Sequence, residues 1–115
     1  MKKRTKENYL EKRPKRAEYI GWSKGNDGII TLEIENKGIF NRLAQKLLKK
    51  PRISYIHLDE MGSFIWPLLD GEKSVYEIAE AVKNQFKDKA EPLYERLVKY
   101  FQILESYNFI IWYKD

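Results

Sequence analysis

The chain has 115 residues, 43% hydrophobic and 34% charged, with a formal net charge of +5. That length fits one domain, and that balance supports a small folded core rather than a disordered chain. The lack of cysteine excludes disulfides and thiolate metal sites and fits a reducing, cytoplasmic setting.

The charge is unevenly placed. Residues 2–16 hold eight Lys or Arg against Glu7 and Glu11, so the rest of the chain is close to neutral. Residues 1–17 therefore read as a basic flexible arm ahead of a domain over 18–115. Pro14 and the charge density oppose an independent helix there, and Tyr9 and Leu10 could pin the arm to the body. Deleting residues 1–16 is expected to leave the melting temperature nearly unchanged. Met1 is followed by Lys2, Lys3 and Arg4 with no apolar stretch, so no signal peptide is expected. No apolar run is long enough to span a bilayer.

Residues 18–35 read as a hairpin. Tyr19 to Lys24 give one strand, and Gly25-Asn26-Asp27-Gly28 supply the turn. IITLEIE then alternates, with Ile30, Leu32 and Ile34 on one side and Thr31, Glu33 and Glu35 on the other. Phe40, Leu43, Ala44, Leu47 and Leu48 recur at helical spacing and predict a helix over 39–49, ended by Pro51. A strand follows over 53–58, with Ser54, Ile56 and Leu58 on one face and Ile53, Tyr55 and His57 on the other.

Asp59 is a good N-cap for a helix striped by Met61, Phe64, Ile65, Leu68 and Leu69. Pro67 forfeits a helical hydrogen bond and predicts a kink or an early end. Asp70-Gly71 makes a turn, and Ser74 with Glu77 forms a capping box for the next helix. A last helix over about 90–107 is striped by Leu93, Leu97, Tyr100, Phe101 and Leu104, with Asp88 and Glu91 as a second capping box. FIIWY, residues 109–113, closes the chain as a strand, and could also pair with another copy to give a homodimer. The order predicts an α+β fold: a winged-helix-like arrangement with a small antiparallel β-sheet, a three-helix bundle and one inserted helix.

The ordered motifs resemble the PqqD family. They are Leu58-Asp59-Glu60 with Gly62, then Trp66, Leu68, Asp70 and Gly71, then Ser74, Val75 and Ile78, within about residues 53–110. The helix over 39–49 departs from the compact family pattern. The resemblance implies a non-catalytic protein that binds the leader of a ribosomally made precursor peptide. It would present that peptide to a maturing enzyme, often of the radical-SAM class. It also implies that the peptide adds as a strand beside the third strand of the sheet and packs on the last helix. On that reading Ile53, Tyr55 and His57 of the strand, and Arg96, Lys99 and Ile103 of the helix, are the expected peptide-binding residues.

Other classes fit less well. One histidine, no cysteine and no Gly-rich phosphate loop give no catalytic or metal constellation, and no cofactor is expected. A winged helix with a basic arm could bind nucleic acid. However, the outward residues of the 75–86 helix include Glu77 and Glu80 where phosphates would approach, alongside Tyr76, Lys83, Asn84 and Gln85.

Overall fold

The computed structural model describes residues 6–35 and 53–113; the helix expected over 39–49 lies outside the described residues. Helix α1 (Lys6–Glu11) leads into strands β1 (Arg13–Arg16), β2 (Gly21–Lys24), β3 (Ile30–Glu35) and β4 (Ile53–His57). Helices α2 (Glu60–Ile65), α3 (Val75–Phe86) and α4 (Leu93–Ser106) follow, then strand β5 (Ile110–Tyr113). Single 3-10 turns at Trp66–Leu68 and Lys87–Ala90 extend α2 and α3. The fold is α+β.

Local chemistry sets most of these boundaries. In the hairpin, Gly28 takes φ +84°, where a side chain would strain, and Asp27 Oδ1 accepts from the Ile29 N–H at 3.0 Å. Asp59 caps α2 by accepting from the Gly62 N–H at 2.7 Å. Pro67 ends that helix early, sitting in the first turn of the 3-10 segment. Ser74 and Glu77 form the expected reciprocal capping box on α3. The second expected box does not form. Glu91 is extended ahead of Pro92, as residues before proline usually are, and Pro92 itself occupies the N-cap. The last helix therefore begins at Leu93 rather than near residue 90.

The strands form two sheets rather than one. β2, β3 and β4 make an antiparallel sheet in that order, while β1 pairs only with β5. Ile30 and Leu32 of β3 enter one core with Ile65, Trp66, Ile78, Val82, Leu97 and Phe101. Each such side chain contributes roughly 1.5–3 kcal/mol by leaving water. Buried Ser63 accepts from the Ile30 N–H at 2.8 Å, which fastens the sheet to α2.

The arm expected over residues 1–17 is, from Lys6 onward, part of the body. β1 runs antiparallel to β5 with Arg13 opposite Tyr113 and Arg16 opposite Ile110. Its other edge lies against the turn after α2: Gly71 N–H donates to the Pro14 carbonyl at 3.0 Å, and Arg16 N–H to Leu69 at 2.9 Å. Pro14 suits this place because its carbonyl is used and its missing N–H is not needed. The cations have internal partners. Arg16 donates to the carbonyls of Trp66, Pro67 and Leu69, and its guanidinium lies over Trp22. Lys12 sits over the rings of Tyr9 and Trp112, and Lys15 over Tyr113. Charge density in sequence looked like solvation because most of these partners, Trp66, Pro67, Leu69, Trp112 and Tyr113, lie far along the chain.

Asp70 fixes the turn between α2 and α3. Burial pushes its carboxyl up, but the Lys73 and Glu72 N–H groups and the Lys73 ammonium outweigh that and hold it at about 2. A depressed pKa stabilises the fold above the ordinary carboxylate value and loses that contribution as pH falls toward 2. Asp70→Asn is expected to cost about 1–2 kcal/mol at pH 7, allowing for solvent screening, and nothing near pH 2. Urea unfolding at pH 7, 4 and 2.5 checks this; an equal deficit at every pH would overturn it. Beside it, Gly71 takes φ +83° and a Cβ there would meet the Lys15 side chain at 3.2 Å.

Candidate functional site

β4 is the last strand of its sheet, and among the described residues no strand meets its outer edge. The hydrogen-bond phase shows which groups face that edge. Leu58 N–H donates to the Ile30 carbonyl at 2.9 Å, and the register continues as Ile56 opposite Leu32 and Ser54 opposite Ile34. Those residues bond toward β3. In an antiparallel ladder the alternate residues then point the other way. The N–H and C=O groups of Ile53, Tyr55 and His57 are therefore aimed outward along the open edge.

The side chains divide differently. Ile53, Tyr55 and His57 lie opposite Glu35, Glu33 and Thr31 and share the outer face of the sheet with them. Tyr55 is 60% exposed, and His57 Nδ1 is 2.8 Å from Thr31 Oγ1. Ser54, Ile56 and Leu58 lie on the inner face, toward the core, although Ile56 is still 38% exposed.

α4 packs on the inner side through Leu93, Leu97, Phe101 and Leu104. Tyr100 donates its hydroxyl to the Gly62 carbonyl at 3.1 Å, which ties the helix to the start of α2, just beyond β4. Burial, and then the nearby Asp59 carboxylate, push the Tyr100 phenol well above its usual range, so it stays a donor. Arg96, Lys99 and Ile103 follow at three- and four-residue steps along one exposed flank of α4, and Ile103 is 48% exposed. Arg96 Nη1 donates to the Lys89 carbonyl at 2.6 Å.

The six sequence-predicted residues thus form two groups. The three on β4 supply an outward backbone row and an outer face; the three on α4 lie on the inner side. The inner-face residues Ile56 and Leu58, with Met61 and Tyr100 behind them, were not singled out as site residues. The alternation in ISYIHL carried that signal, since it assigns Ile56 and Leu58 to the face opposite Tyr55. Among the described residues no group of three or more His, Cys, Asp or Glu is placed to hold a metal ion. None of the described helices is long and apolar enough to cross a membrane.

Together these features define a small α+β domain: a helix–turn–helix unit over a three-stranded sheet whose end strands, β2 and β4, meet no further strand among the described residues. The chain belongs to the PqqD family, whose model, described as coenzyme PQQ synthesis protein D, matches residues 44–110. The match begins after the β2–β3 hairpin and takes in β4 through the start of β5. No curated protein and no solved structure gives a significant match to the chain.

Proposed function

We propose that this protein is a non-catalytic peptide chaperone. It takes the leader of a ribosomally made precursor as an added strand along β4 and presents it to a modifying enzyme of the radical-SAM type. The observation that carries this reading is the outward row of backbone groups on Ile53, Tyr55 and His57. An extended peptide satisfies such a row, and pockets for alternate side chains add specificity. Arg96, Lys99 and Ile103 on the neighbouring helix suit a leader carrying Asp or Glu among aliphatic residues. Family membership supports a peptide-partner role of this kind. The nucleic-acid alternative is weakened, because Arg16 of the basic segment donates to backbone carbonyls of the body and Lys12 and Lys15 lie over the Trp112 and Tyr113 rings.

The test is a backbone NMR titration with a leader-like peptide encoded beside this protein and, in parallel, a DNA duplex. The peptide is expected to shift residues 53–58 and the α4 flank. Shifts confined to α3 and β1, with DNA only, would reverse the reading. Reversing both charges, Arg96→Glu with Lys99→Glu, is expected to weaken an acidic leader by about tenfold or more without unfolding the domain. Unchanged affinity in the folded double variant would remove that flank from the site.

A further inference from the structure

β2 is the other end of the three-stranded sheet, and among the described residues no strand meets its outer edge. All four of its residues are exposed. The Gly25 N–H donates to the Ile29 carbonyl at 2.9 Å, so Ser23 opposite Thr31 and Gly21 opposite Glu33 bond toward β3. The alternate residues, Trp22 and Lys24, therefore aim their N–H and C=O groups outward. Trp22 lies opposite buried Leu32 and Lys24 opposite buried Ile30, so both side chains take the inner face, yet Trp22 stays 38% exposed. This edge lies outside the family match over residues 44–110.

Arg16 is fixed beside that row. Its guanidinium carbon sits 5.3 Å from the centroid of the Trp22 ring. Its bonds to the Trp66, Pro67 and Leu69 carbonyls, at 3.2, 3.0 and 3.1 Å, all leave from Nη1. Among the described residues the Nε–H and Nη2–H pair is left over, and that side-on fork grips a carboxylate through two parallel bonds. The carbonyl anchors hold the cation in place before any ligand arrives, so little side-chain freedom is lost on binding. A residue added opposite Trp22 sets its side chain on the same face, beside Trp22 and Arg16. The next position on that face, about 7 Å on, falls level with Lys24. An extended acidic polypeptide uses the backbone row and both cations, whereas a phosphate uses the cations alone. Independently of what β4 holds, we propose that β2 is a second docking edge. It takes an extended segment of a partner protein, with an Asp or Glu opposite Trp22 bound by Arg16. β3 separates this edge from β4, so both edges can be filled at once.

The experiment pans a displayed library of random peptides, each of about 12 residues, against the full chain, long enough to span a strand of usual length. Binders are sorted by the backbone amides they shift in NMR spectra. One class is expected to shift residues 21–24, to leave 53–58 unmoved and to share an Asp or Glu. Changing that acid to its amide is expected to weaken binding about tenfold by fluorescence anisotropy. Lys24→Pro removes an outward N–H and keeps the ladder; it is expected to cost this class a similar factor and to spare peptides on β4. Arg16→Lys keeps the charge without the fork, and is expected to shrink the acid–amide difference to about threefold or less. Thermal melts show whether that variant folds, and if it does not, the acid and amide peptides on wild type decide. Binders confined to 53–58 would overturn the second edge and leave the β4 reading standing. Binding at 21–24 with no acidic preference would overturn the carboxylate site. A DNA duplex that shifts 21–24 where no peptide does would overturn the proposal and make this edge a phosphate site. A library that yields no binder would overturn it as well.

Discussion

Deleting residues 1–17 is expected to abolish the cooperative thermal transition or lower it by at least about 15 °C, given a few degrees per kcal/mol at this size. Besides its ladder with β5, the segment makes four long-range backbone hydrogen bonds: Val75 to Lys12, Gly71 to Pro14, Arg16 to Leu69 and Ala17 to Phe109. At about 1 kcal/mol each these are already substantial, and the Arg16 guanidinium adds charge-assisted bonds to three carbonyls. Pro14 is fully buried, so its loss also opens the core beneath Trp112. The sum is of the same order as the whole stability of a small domain, about 5–15 kcal/mol. Circular dichroism melts of the full and shortened chains decide it. A melting temperature within a few degrees of the full chain would restore the flexible-arm reading.

The second large effect separates folding from binding. Tyr55→Pro removes an N–H that points away from β3, so the ladder keeps its bonds; edge strands tolerate proline in that phase. The variant is expected to stay folded and to lose affinity for a strand-adding peptide by about tenfold or more. Ile56→Pro removes an N–H that serves Leu32 and is expected to destabilise the domain severely. Thermal melts and peptide titrations of both variants read the result. Equal destabilisation would show that the edge phase is wrong. A folded Tyr55→Pro that binds as well as wild type would move the peptide off β4.

The sequence made the local rules legible. Asp59, the Ser74–Glu77 box, the turn through Gly28 and the alternation of Ile30, Leu32 and Ile34 each act over a few residues, and each stands as expected. What it hid was long-range. Arg16 has its carbonyl acceptors some fifty positions away, and β1 pairs with residues about a hundred positions on, so no window of sequence contains both partners. The start of α4 was misplaced for a local reason, because Pro92 overrode the apparent Asp88–Glu91 box. For the site, alternation assigned the faces of β4 correctly. Which edge lay open needed the strand order, and strand order is a tertiary property.

The open edge of β4 has a colloidal consequence. An edge exposing Tyr55 and Ile53 beside outward-facing backbone groups can template another copy as readily as it accepts a peptide. The net charge of +5 opposes that encounter. That protection weakens with added salt as the screening length shortens. A bound peptide would remove the hazard altogether by occupying the edge, so ligand and solubility are coupled in this fold.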